Sequence, residues 1–96
     1  MLVHIVLFKW KEHAPETTIN HIIDELNYLK NKIDFIQEIS AGKIFATDFE
    51  GYTHALVVKV DSHADLSEYR NHPAHQAIIQ RIEEIKERIH RIDFEA

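Results

Sequence analysis

Residues 2–10, LVHIVLFKW, are apolar in both phases of a β-strand: Val3, Ile5 and Leu7 in one, His4, Val6, Phe8 and Trp10 in the other. A strand of that kind needs cover on both faces. HAPETT then reads as a turn, with Pro15 near the start of a helix and Glu16 favourable in its first turn. Ile19, Ile22, Ile23, Leu26, Leu29 and Ile33 recur at helical spacing, which predicts a helix to about residues 32–33. FIQEISAGKIFA, 35–46, reads as a second strand, in which Gly42 suggests a bulge or a close backbone approach. TDFEG makes a turn, and YTHALVVKV, 52–60, is a third strand, again apolar in both phases.

Ser62 suits the N-cap of a short helix that places Leu66 and Tyr69 on one side. Pro73 disfavours helical geometry at His72 and lacks an amide hydrogen, so a break at 71–72 is expected, with Pro73 at the first position of a new helix. That helix would turn Ile78, Ile82, Ile85 and Ile89 inward with His75 in the same phase, and RIDFEA, 91–96, would close the chain as a short strand with Ile92 and Phe94 on one face. The order β-α-β-β-α-β, its second helical region split, predicts an α+β, ferredoxin-like domain with a four-stranded antiparallel sheet and helices on one face. Residues 1–96 form one domain. Nothing in the chain remains to cover the other face, and a homodimer packed sheet to sheet, a dimeric α/β barrel, is the expected remedy.

Composition narrows the classes. The net charge is −5 with histidines neutral, and no basic run exists, so neither nucleic acid nor an anionic membrane is an expected partner. The absence of cysteine removes disulfides, thiolate metal sites and cysteine nucleophiles. No apolar run could span a bilayer, and no signal-peptide pattern opens the chain, which leaves a cytoplasmic location by default. No phosphate-binding loop can be built from Gly42 and Gly51. The unusual quantity is histidine, eight residues in 96.

In a ferredoxin-like order the start of the first strand lies beside the end of the third, where the chain enters SHADLSEYRNHPAH. His4, Tyr69 and His75 can therefore converge at one end of the sheet. His54 belongs nearer the other end, beside Phe8 or Trp10. A neutral histidine can abstract a proton α to a carbonyl, and a tyrosine can donate to the oxyanion that develops. The plainer readings are a core histidine at His75, a packed aromatic at Tyr69, a structural histidine at His4, dimer or edge packing for Trp10, and solvated His13, His21, His63 and His90. His72 reads as a boundary residue. His72 and His75 have zinc-like spacing, but nothing local completes a metal site, so neither metal nor cofactor is expected.

VHIVLFKWK, EGYTHALVV, SEYRNHPAH and the terminal IDFE together resemble the stress-responsive dimeric α/β-barrel (Dabb) family over essentially the whole chain. The resemblance implies the ferredoxin-like fold and the sheet-to-sheet homodimer. A plant polyketide cyclase of that family carries out an intramolecular aldol condensation without a cofactor, and its functional positions match His4, His54, Tyr69 and His75. The resemblance thus implies Tyr69 and His75 as a catalytic pair, and His4, His54, Val6 and Phe8 are the expected ligand-binding residues. Where the cyclase has bulky aromatics on its first helix, Ile22, Ile23 and Leu26 stand here, so a different pocket shape and substrate are expected. The expected function is a homodimer binding a small hydrophobic carbonyl compound, with cyclase-like lyase chemistry. The alternative is a non-catalytic dimer whose histidines form a structural hydrogen-bond network.

Overall fold

The computed structural model describes residues 1–96. The elements are β1 (Leu2–Trp10), α1 (Glu16–Tyr28) with a 3-10 turn (Leu29–Asn31), β2 (Glu38–Lys43), β3 (His54–Val60), α2 (His63–Asn71), α3 (Pro73–Ile85) and β4 (Lys86–Glu95). The strands form one antiparallel sheet in the order β2-β3-β1-β4. This is the ferredoxin-like arrangement expected from the element order.

Register decides which side chains share a face. Leu2, His4, Val6 and Phe8 stand opposite Val60, Val58, Leu56 and His54. All eight are buried, and the apolar ones join the core with Ile22, Leu26, Ile78 and Ile82 of the helices. The other phase, Val3, Ile5 and Leu7, stands beside Val57 and Ala55 on β3 and beside Phe94, Ile92 and His90 on β4. The helices leave that second face uncovered, and Ile92 and Phe94 remain 48% and 47% exposed.

Four expectations need correction. The last helix stops at Ile85, and Ile89 lies in β4. The isoleucine spacing continues past the helix end, but pairing with β1 fixes Phe8 opposite Ile89 and Lys9 opposite Arg88, and this tertiary ladder overrides the helical period. Ile89 still packs on the core, from a strand and not from a helix. Gly42 makes no bulge, because β2 pairs with β3 without interruption and a Cβ there would meet nothing within 4 Å. The irregularity lies where Lys9 and Trp10 of β1 pair with Arg88 and Lys86, leaving Glu87 of β4 as the extra residue. Gly51 is the constrained glycine: its φ of 82° favours glycine, and a Cβ would fall 2.7 Å from Lys9 Cε.

Trp10 is neither edge nor dimer packing. It stacks on Phe8 with ring centroids 5.1 Å apart, within the helix-side core. Its indole Nε1 donates to His54 Nδ1 at 2.9 Å. Trp10→Phe removes that donor and part of a buried ring, and should lower unfolding free energy by about 1–3 kcal/mol. Urea denaturation at neutral pH checks it; an unchanged midpoint would show that the indole–imidazole bond contributes nothing.

Finally, β2 and α1 are shorter than the sequence suggests. Phe35 and Ile36 pack on the core before β2 begins, and the helical period beyond Tyr28 is carried by the tighter 3-10 turn.

Candidate functional site

The junction between α2 and α3 positions the site. Ser62 caps α2, its Oγ accepting from Asp65 N at 3.1 Å. His72, with ψ of 134°, ends α2, and Pro73 opens α3 at its first position. His72 also caps α3: its Nδ1 accepts from the Ala74 amide at 3.1 Å. The break therefore re-aims the chain, and Tyr69 from the end of α2 meets His75 from the start of α3. Their ring centroids are 4.4 Å apart. His4 on β1 approaches Tyr69 edge-on at 6.1 Å.

Hydrogen bonds fix the states of these rings. His75 Nδ1 donates to the Arg70 carbonyl at 3.1 Å, since a carbonyl can only accept. In the neutral imidazole this leaves the lone pair on Nε2. Burial pushes the His75 pKa below 6.5, opposed by its bond to the Arg70 carbonyl and reinforced by the neighbouring His4, Arg70 and His72. Tyr69 is fully buried, its hydroxyl has no partner, and burial pushes the phenol's pKa upward, so it stays a protonated donor. His4 Nδ1 donates to Asp93 Oδ1 at 2.5 Å, and Arg70 donates to Asp93 Oδ2 at 2.9 Å.

A cavity of about 540 Å³ adjoins this cluster, within the range of small-molecule sites. Val6, Phe8, Leu26, Leu56, Ile82 and Ile89 supply apolar lining, and His4, Arg70, His75, Gln76, Arg91 and Asp93 supply polar groups. Of the residues singled out from sequence, His4, Val6, Phe8 and His75 line the cavity. Tyr69 does not; the two histidines that contact its ring do. His54 does not line it either. Its Nδ1 receives the Trp10 indole and lies 2.8 Å from the Thr53 hydroxyl, so that nitrogen is engaged within the core. No group of three or more histidine or carboxylate side chains is arranged to hold a metal ion.

Sequence reasoning missed Asp93, Arg70 and Arg91. The signal was available only through register: Asp93 stands opposite His4, and Arg91 opposite Val6. Polar residues at the helix-side positions of a strand, where apolar ones would normally sit, mark a site opening at that edge.

Acid should destabilise the fold. Burial lowers His75, and burial followed by the Lys43 charge lowers His54, so the folded state binds fewer protons than the unfolded one. This stability is complete above the unfolded value of about 6.5 and is lost as pH falls through the folded values. Urea midpoints compared at about pH 7.5 and about pH 5 should fall on acidification, and the fall should shrink in a His54→Gln, His75→Gln variant. Equal sensitivity of the variant would contradict the assignment.

An antiparallel ferredoxin-like sheet with a histidine-lined cavity between sheet and helices defines the class: a small α+β barrel-type domain. The sequence profile of the Stress responsive A/B Barrel Domain (Dabb) matches residues 2–96, and the chain belongs to that family. It is 33% identical over 81 residues to a stress-response A/B barrel domain-containing protein of Arabidopsis thaliana, covering 83% of this chain and 30% of that protein. It is 31% identical over 95 residues to a second protein of that description from the same plant, covering 95% of this chain and 45% of that protein. The chain thus spans less than half the length of these curated relatives. Among solved structures it resembles a dimeric protein of unknown function and ferredoxin-like fold from Bacteroides fragilis, at TM-score 0.86 and 29% identity over 99% of this chain and 95% of that one. It shares its fold with hydroxynitrile lyase from Passiflora edulis, at TM-score 0.87 and 22% identity over 97% of this chain and 90% of that one.

Proposed function

We propose that this domain is a homodimer whose cavity binds a small apolar carbonyl compound and acts on it without a cofactor, as a cyclase-like lyase. The observation that carries the reading is His75: its Nδ1–H is spent on the Arg70 carbonyl, so Nε2 is an unprotonated base on the wall of a partly apolar cavity. Nε2 would take the proton α to the ligand carbonyl, and the Tyr69 hydroxyl would donate to the enolate oxygen. The resulting carbanion equivalent then adds to a second carbonyl, or in the reverse sense is released when a C–C bond breaks. Exclusion of water strengthens both interactions. Because Tyr69 lies behind the two histidine rings, ligand entry has to shift one of them before the hydroxyl is reached. His4, tied to Asp93, is a polar wall group.

The dimer reading rests on the uncovered face, where Ile5, Leu7, Val57, Ile92 and Phe94 form an apolar surface beside the small residues Gly42 and Ala55, which permit close approach. The Bacteroides protein of similar sequence is described as dimeric.

A second reading has its own support. His4 and the Arg70 guanidinium share Asp93, and His75 donates to the Arg70 backbone carbonyl, as in a purely structural network. That reading leaves the Tyr69 hydroxyl without a purpose.

Titration of 4-phenylbutan-2-one, followed by NMR on methyl-labelled protein, tests occupancy. Saturable shifts of Ile82 and Ile89 are expected in the wild type and should vanish in Ile79→Trp, which fills the cavity from a half-buried position. Absence of shifts in the wild type, or their persistence in the variant, would contradict a ligand cavity.

A further inference from the structure

The charged groups around the cavity are not equally committed. Asp93 receives both Arg70 and His4. Glu83 lies 3.3 Å from Lys86 Nζ. Arg91 also lines the cavity but takes part in no ion pair or side-chain hydrogen bond, although five ion pairs with a carboxylate have a partner on the same strand. Its position on β4 is fixed opposite Val6, in the phase of Ile89 and Asp93, so it belongs to the helix side of the edge strand. It is exposed, whereas the wall behind it, Val6, Phe8, Ile79 and Ile82, is apolar.

This is an amphipathic site with its free charge at one end. A ligand of hydrocarbon and one carbonyl would fill the wall and leave the guanidinium facing water. We propose that the ligand is an apolar keto acid, whose carboxylate pairs with Arg91 at the mouth while its carbonyl-bearing body reaches inward to His75. The inference rests on the reading of this cavity as a ligand site and adds the class of compound it takes. A guanidinium presents parallel N–H donors that match both oxygens of a carboxylate. The neighbouring acids do not compete for it, because Asp93 and Glu83 already hold cations. The orientation also suits the cost of burial: the anion stays at the solvent-facing mouth, where little hydration is lost, and only the neutral end enters the apolar interior.

The test compares 4-oxo-4-phenylbutanoate with its primary amide, 4-oxo-4-phenylbutanamide, by calorimetric or NMR titration of the full chain. The two differ in charge and hardly in shape. In the wild type the acid should bind about fivefold tighter or more, an advantage that shrinks as salt is raised. In Arg91→Gln, an exposed substitution that leaves the core intact, the two should bind alike. Equal binding of acid and amide in the wild type would overturn the keto-acid assignment while leaving the cavity reading in place. A preference that survives Arg91→Gln would overturn the role given to Arg91. If neither compound binds, the cavity reading itself fails and this inference falls with it.

Discussion

Ile92→Glu combined with Phe94→Glu should convert the proposed dimer into a monomer, raising its dissociation constant by at least about a hundredfold. Both side chains stand on the uncovered face, opposite Ile5 and Val3, and each is about half exposed in the single chain. Complete burial of such a side chain is worth about 1.5–3 kcal/mol, so the half still exposed in each contributes roughly 1 kcal/mol to association. The larger effect comes from the replacement. A carboxylate placed in a sheet-to-sheet interface without a partner carries a desolvation penalty of several kcal/mol, and each 1.4 kcal/mol is about a factor of ten. The two positions lie at the edge strand and away from the helix-side core, so the monomer should keep its fold. Sedimentation equilibrium with circular dichroism reads both quantities. A wild-type monomer, or a variant that dimerises unchanged, would show that this face is not the interface.

Tyr69→Phe should leave the protein as stable as the wild type or more so, with a gain of about 1–2 kcal/mol, while sharply reducing any chemistry at the cavity. The ring is fully buried between His4 and His75, and its hydroxyl lacks a hydrogen-bond partner. Removing an unsatisfied buried polar atom relieves a desolvation cost and leaves the aromatic packing in place. Asp93→Ala should move stability the other way, because it strips His4 and Arg70 of their shared acceptor. This pair separates the two functional readings. If Tyr69 belonged to a structural network, its hydroxyl would be satisfied and Tyr69→Phe would cost about 1–3 kcal/mol. Such a loss, measured by urea unfolding, would favour the non-catalytic dimer.

The parts of this architecture that depend on local chemistry were legible in the sequence. Both-phase hydrophobicity placed β1 and β3 at the centre of a sheet needing two covers, and Pro73 marked the helix break that brings Tyr69 against His75. The convergence of His4, Tyr69 and His75, and the separation of His54 from them, followed from strand order alone. What was illegible depends on pairing. Ile85 and Ile89 satisfy a helical period equally well as helix or as helix-then-strand, and no glycine or proline stands between them, so the end of α3 is decided only by the β1–β4 ladder. Arg91 and Asp93 fall in the closing strand on either reading, but their importance comes from standing opposite Val6 and His4, which only the pairing reveals. Trp10 was misread for a related reason: a strand apolar in both phases does not reveal which phase meets the helices.

On the proposed reading His75 acts as a base toward a carbonyl compound in the cavity. Deuterium exchange at the α-carbons of 4-phenylbutan-2-one in D₂O, followed by NMR, reads that proton transfer itself. The wild type should accelerate exchange above buffer, with the acceleration lost in folded His75→Ala and sharply reduced in Tyr69→Phe. Exchange no faster with wild type than with His75→Ala would contradict the account.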